Sequence, residues 1–383
     1  GPVTSHAAST GYAGGIVGST PSAIFMRTVS STGDVTSAGE YAGGLVGYQY
    51  PLSTALSEFS NVTRRGDVTA DLMAGGLVGL AAGGVSASDV AVVGTQVRST
   101  HPWGSRSGGV VAHVQGPTTI ARAEVSVPVS ANEYAGGLIG YQNGPVTVRD
   151  SRFSGGHVTG TQNGTGGLVG YVVSDLATVH DVRVTTDVSG QTNVGGVLGR
   201  ASTFAIERTG FEGTVTSGGS AAGGLVGYAA GASSTMLESF ASGAVTASGS
   251  AAAGGLVGAA DALLVVQDGY ARMDVGGAAQ VGGLVGMANG LSLTDAYAAG
   301  TLPSAASVGG LVGANLSGSV VAQASYWDVE RSGVVATTGG GTAASTDELR
   351  TFAFLDPDWD VVAGWSPRDP GAGRLWGVCP RLQ

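Results

Sequence analysis

The sequence predicts an all-β chain, a parallel β-solenoid of about eleven coils of ~30 residues with a C-terminal cap. Three observations carry this. First, Gly-Gly-Leu-Val-Gly or a close variant recurs eleven times, its first glycine at Gly14, Gly43, Gly75, Gly108, Gly136, Gly166, Gly195, Gly223, Gly254, Gly282 and Gly309. The mean spacing is 29.5 residues, and a fixed period in that range marks a repeat architecture. Second, short β-branched or aromatic runs are parted by glycine, serine, asparagine and aspartate, with none of the apolar periodicity of an amphipathic helix. Third, glycine supplies 69 of 383 residues and charged residues only 11%, yet 43% of the chain is hydrophobic, enough to bury a core. A propeller blade takes more residues, ~40–45, and eleven blades exceed the usual number.

Within a repeat, three apolar columns are expected to line the tube. Val35, Val68, Val129, Val158, Val188, Val215, Val245, Val275 and Leu302 precede the glycine pairs, with Val97 more loosely placed. A second column reads Val29, Val62, Val92, Val125, Phe153, Val184, Phe211, Phe240, Tyr270 and Tyr297, and a third lies near Ile24, Leu56, Ile120, Val148, Val179, Ile206 and Leu293. About three short strands per coil would hold these ladders, stacked at ~4.8 Å, so that eleven coils give a rod roughly 50 Å long. The glycine pair marks a corner, where φ > 0 and close backbone approach are both expected. Strand alternation sends one of Leu and Val in each motif outward.

After Gly309, Val321 and Tyr326 fit the third and second columns of a twelfth coil. Residues 1–10 read as a lead-in opening on a tag-cleavage scar, 11–326 as the solenoid, and 327–383 as a cap. The cap is rich in tryptophan and proline, would cover an otherwise open strand edge, and begins a short helix at Ser345-Thr346-Asp347-Glu348-Leu349.

Composition excludes several functions. All 17 basic residues are arginine, and against 27 acids the net charge is −10, which disfavours nucleic-acid binding. The single cysteine, Cys379, excludes an internal disulfide and a cysteine-rich metal site, pointing to a bacterial source for a secreted chain. No apolar run is long enough to cross a membrane as a helix. The chain is expected to be a monomeric piece of a larger protein.

Ala222-Gly223-Gly224-Leu225-Val226-Gly227-Tyr228, with the following Ser239-Phe240-Ala241-Ser242-Gly243-Ala244-Val245-Thr246, resembles the GLUG motif of large bacterial surface proteins. Filamentous-haemagglutinin-like adhesins and the non-catalytic parts of immunoglobulin A peptidases carry it. Tyr326-Trp327-Asp328, Thr346 to Leu349, and Trp376 with Pro380-Arg381-Leu382 resemble the tail of such arrays. The resemblance runs over residues 11–383, departs at Gly108-Gly109-Val110-Val111-Ala112, and implies a β-solenoid on a cell surface or secreted. It names no ligand.

Binding is expected on loops, where the longest spacings place Tyr48, Tyr50, His101 and Trp103, aromatic groups suited to a host or neighbouring-cell glycan or protein. As plain loop residues they would be solvated corners. Thr36, Thr69, Thr159, Thr216 and Thr246, with Ser130 and Ser189, form an outward polar ladder that an ice-binding adhesin would use, though Arg98 and Pro303 interrupt it. Arg65-Gly66-Asp67 spells an integrin-binding tripeptide, but Gly66-Asp67-Val68-Thr69 is the ordinary repeat. No cofactor is expected. Calcium is the one metal considered, at Asp356, Asp358 and Asp360, where no EF-hand loop follows. The chain reads as a non-enzyme. A carbohydrate-active β-helix would need His101, His113, Asp89 and Glu124 to meet in one groove.

Overall fold

A computed structural model describes residues 1–349, apart from 7–10, 51–55, 250–251, 278, 304–306, 317–318 and 336–339. It is a parallel β-solenoid. Eleven short strands, from Tyr12–Gly14 to Ser307–Gly309, pair in chain order in one sheet, one strand per coil. The remaining strands form a larger sheet with the same coil-to-coil parallel pairing.

Each regular coil contributes four strands rather than three. In the second coil these are Tyr41–Gly43, Val46–Gln49, Ser57–Arg65 and Val68–Ala70. The second and third expected columns share the long strand, as Ile120 and Val125 do in Thr118–Ser126, and the two strands flanking the glycine pair are additional.

The valine column is in register from Val3 through Val35, Val68, Val97 and Val129 to Val275, so Val97 keeps its place. The second expected column mixes three registers. Val29 and Val62 share one inward row, whereas Val92, Val125, Phe153, Val184 and Phe211 share the next. Phe240 aligns with Gly210, not Phe211, so Phe240, Tyr270, Tyr297 and Tyr326 form a row on the outer face of the tube wall, half-buried except for the buried Tyr270. Small side chains (Ala241, Ala271, Ala298) take the inward places, and one residue of slip exchanges the two faces. In the third column Leu56 is exposed and the neighbouring Phe59 is buried instead. Val321 likewise points out, at 60% exposure, while Trp327 is buried in the twelfth coil.

The glycine corner departs from expectation in two ways. None of the paired glycines has positive φ; the corner needs close approach alone. A Cβ on Gly43 would lie 1.8 Å from the Val46 carbonyl oxygen, and one on Gly137 would meet the Phe153 ring at 2.8 Å. The second glycine is thus the floor on which the inward aromatic of the same coil rests, as Phe211 does on Gly196 and Trp327 on Gly310. The apolar pair after the glycines also does not alternate. Leu45 and Val46 are both fully buried, and both amides donate to the Leu77 carbonyl at 2.9 Å, because the chain is turning there rather than extended.

Positive φ falls instead at a bend within the long strand. Asn61, Asp89, Asp150 and Asp181 occupy it, and Asp268 and Asp295 take the matching place where the later coils break that strand in two, types whose short polar side chains tolerate the left-handed conformation; Thr28 adopts it in the first coil. Arg122 and Arg208 adopt it too. Each forms a two-pronged ion pair with the residue one coil earlier, Arg122 with Asp89 at 2.6 and 2.7 Å and Arg208 with Asp181 at 2.9 Å.

One charged side chain stands in an inward row of the coils. Arg64, between Ser31 and Val92 in its row, is fully buried, and burial lowers its pKa. Its guanidinium donates to the Gly33 carbonyl at 2.6 Å and to the Arg65 carbonyl. Beyond the twelfth coil, Asp328 caps the short helix Val329–Ser332. Ser345 and Glu348 form a reciprocal capping box on Thr346–Leu349, the helix start read from the sequence. Trp359, Trp365, Trp376 and the aspartates considered for calcium lie outside the described residues.

Candidate functional site: an aromatic and arginine seam

The tight glycine corner decides what stands on the surface beside it. In each coil the residue two before the glycine pair and the residue following the last glycine of the motif sit on adjoining strands and face outward together. In the second coil these are Tyr41 and Tyr48, whose rings are 5.2 Å apart. In-register stacking repeats the arrangement along the rod and makes a seam outside the tube.

Tyr12 stacks on Tyr41 at 5.3 Å and touches Tyr48 at 5.0 Å. The next coil continues the seam with Met73 and Leu80, which pack with Leu72 and Ala112 into an apolar patch separate from the main core. The fourth coil places Arg106 and His113 there, the fifth Tyr134 and Tyr141. The post-glycine row then runs Tyr171, Arg200 and Tyr228.

The two arginines are held by rings. The Arg106 guanidinium lies 4.2 Å from the Tyr141 ring and 5.9 Å from that of Tyr134, with Nη1 2.7 Å from His113 Nδ1. His113 accepts that bond as a neutral imidazole, since burial, with the nearby Arg106 charge, pushes its pKa down to about 3. Arg200 is sandwiched between Tyr171 and Tyr228, at 5.3 and 5.2 Å. Arg122, Arg183 and Arg208 all have carboxylate partners. Arg106 and Arg200 have no ion pair among the described residues. Three acids border the seam: Glu40 beside Tyr41, Glu133 beside Tyr134, and Asp261, which accepts the Tyr228 hydroxyl. Burial and that hydrogen bond raise the Tyr228 phenol to about 12.

Of the four residues singled out from sequence, Tyr48 belongs to the seam and Tyr50 stands against it at 5.2 Å. His101 and Trp103 share a separate loop leading into Arg106. Trp103 is 70% exposed, while the backbone beneath it is fixed. His101 N donates to the Asp71 carbonyl at 2.7 Å, Asn132 Nδ2 donates to the carbonyls of Thr100 and His101 at 3.0 Å, and Gln162 Nε2 donates to that of Pro102 at 2.8 Å. The loop is thereby stapled to the next two coils and presents an indole to solvent. Among the described residues no ring contact joins Trp103 to the tyrosines. Sequence reasoning missed Tyr12, Tyr41, Arg106, Tyr134, Tyr141, Tyr171 and Arg200 as a set. The signal was present in the motif's flanks, Tyr-Ala-Gly-Gly and Val-Gly-Tyr.

The remaining candidates are dispersed. The threonine row is outward and in register through Thr36, Thr69, Arg98, Ser130 and Thr159, and it is one residue wide. Asp67 of the tripeptide accepts Thr95 N at 2.7 Å and Gln96 N at 3.1 Å from the following coil, bonds that hold its carboxyl below the usual range against the opposing effect of burial. Asp89 is at the strand bend with Arg122, Glu124 is on the strand beyond it opposite Arg152, His113 is under the seam, and His101 is in the loop. Among the described residues no three His, Cys, Asp or Glu side chains gather to hold a metal ion.

Fold and seam together define a β-solenoid repeat protein. No family model matches the chain. It is 34% identical to Halomucin of Haloquadratum walsbyi over 143 residues, 33% of this chain. The match spans 2% of Halomucin's length. A solved Bacteroides ovatus protein, provisionally described as an immunoglobulin A1 protease, is similar at 15% identity and TM-score 0.35 over 77% of this chain and 81% of that one.

Proposed function

We propose that the chain is an extracellular, non-catalytic rod of a GLUG-type cell-surface protein, binding a glycan or protein partner along the seam and the Trp103 loop. The observation that carries this is the placement of large aromatic and cationic groups where the core does not require them. A solenoid is stable coil by coil through its inward ladders. Yet Trp103 is lifted into solvent on a stapled loop, and Tyr48 and Tyr50 stand outside the tube. The repeat, and the similarity to part of a much longer protein, support a surface rod. The separate positions of Asp89, Glu124, His101 and His113 support a non-catalytic role, because acid–base chemistry needs its groups in one pocket.

Beads coated with the fragment test the reading. Trp103→Ala with Tyr50→Ala is expected to leave the melting temperature within 2–3 °C, roughly what ±0.5 kcal/mol at the surface moves, and to reduce adhesion to cells at least several-fold. Undiminished adhesion would leave the rod a stalk without this binding surface.

A further inference from the structure

The seam's two arginines carry the argument further, resting on the surface-rod reading. A guanidinium that is held between two rings has lost most of its rotamer freedom before any ligand arrives, while its N–H edge offers a planar fork suited to a carboxylate. Arg200 is in that state, between Tyr171 and Tyr228 with no ion pair or hydrogen bond among the described residues. Arg106 is held by the Tyr141 ring and by the Nη1 bond to His113, and with its Nε buried it offers a ligand the Nη edge. They stand three coils apart on the same seam, ~14 Å at the strand spacing.

We propose that Arg106 and Arg200 are the anchors of a site for a linear acidic polysaccharide lying along the rod, with carboxylates on the two guanidinium forks and a sugar ring against Trp103. The periodicity favours this occupant. The coil rise is close to the length of one pyranose unit in an extended chain, so successive sugars meet equivalent positions. The rings of Tyr134, Tyr141 and Tyr171 lie against one another at 4.9 to 5.4 Å, stacked between Tyr141 and Tyr171 and tilted at Tyr134, and this mutual contact leaves mainly edges and hydroxyls for a ligand, which suits sugar hydroxyls. Trp103, in the loop three residues before Arg106, is the most exposed aromatic side chain among the described residues. The acids along the seam, Glu133 and Asp261 among them, and the net charge of −10 oppose a densely charged polymer such as nucleic acid. A polysaccharide whose carboxylates stand one sugar or more apart carries fewer charges per unit length than a nucleic acid and is compatible with them.

The test is calorimetric titration of the whole chain with alginate and with hyaluronan, two linear polysaccharides that carry uronate carboxylates, against dextran and poly-L-glutamate. At least one polyuronate is expected to bind ten-fold or more tightly than dextran and polyglutamate, and to weaken as salt rises. Arg106→Gln and Arg200→Gln should each reduce that affinity about ten-fold with the circular dichroism unchanged. If Arg200→Gln does not fold, Arg200→Lys replaces it and should also weaken binding, since an ammonium cannot form the fork. Absence of binding to both polyuronates, polyglutamate binding as tightly, or full affinity in the double variant would each overturn the proposal. The bead assay separates the two readings: adhesion that persists in Arg106→Gln/Arg200→Gln removes this site and leaves the surface rod standing.

Discussion

Glycine and histidine show how single residues are constrained by what surrounds them. At Gly75 an added Cβ would lie 1.8 Å from the Val78 carbonyl oxygen, whereas at Gly18 the nearest atom, the Tyr12 carbonyl oxygen, is 3.3 Å away. Backbone cannot move aside as a side-chain end can, so Gly75→Ala is expected to destabilise the fold by roughly 3 kcal/mol and Gly18→Ala by well under half of that, as read from chemical melts. His113 adds a pH dependence. Its folded pKa is about 3 against 6.5 for the free side chain. Above pH 6.5 both states are neutral there and nothing changes. Below it the unfolded chain takes up a proton that the folded chain refuses, so stability falls as pH drops toward 3, by about 1.4 kcal/mol per pH unit at the steepest. His113→Leu, copying Leu80 one coil earlier, should flatten the difference between melts at pH 7 and pH 5. A variant that keeps the full slope would show that His113 is not the group responsible.

At the scale of an element, the loop before Arg106 illustrates how irregular backbone is fixed on a regular scaffold. Thr100 and His101 send amides back to the Asp71 carbonyl, and Asn132 from the next coil satisfies the two carbonyls. Asn132→Ala removes two bonds worth about 1 kcal/mol each. The amide of His101 should then exchange with deuterium roughly ten-fold faster, while strand amides such as that of Val97 keep their protection. Equal exchange in both proteins would mean that Gln162 and the Asp71 bonds suffice. The bends of the long strands are legible at this scale from Asn61, Asp89, Asp150 and Asp181, once the row is known to be a row. Their regular recurrence was not read as a bend because aspartate is equally common in the turns, where Asp34 and Asp67 accept backbone amides of the following coil.

For the whole molecule, nearest-neighbour stacking means that length is adjustable in units of one coil. Excision of residues 137–166, one period from glycine to glycine, joins Gly136 to Gly167 and returns every ladder to register. That variant should fold and shorten by ~5 Å in small-angle scattering, because each coil contacts mainly the coils before and after it. Excision of half a period should instead yield a chain that loses its cooperative melt. If both deletions fold equally well, register between coils is not what holds the rod together.

The sequence by itself determined the solenoid, the number of coils and the valine ladder. Each is a property of period, and a period survives any uncertainty about which way a given side chain points. Tertiary structure alone decided direction: that Leu45 and Val46 both turn inward at a tight corner, that Phe240 lies outside while Ala241 lies in, and that Arg64 is buried between Ser31 and Val92. A slip of one residue in a strand exchanges core for surface, and nothing in a single coil's sequence registers such a slip. The seam was hidden for the same reason. Tyr41 and Tyr48 are seven residues apart in the chain, and Arg200 and Tyr228 twenty-eight. They become neighbours only because a glycine corner folds two strands together and the coils then stack in register.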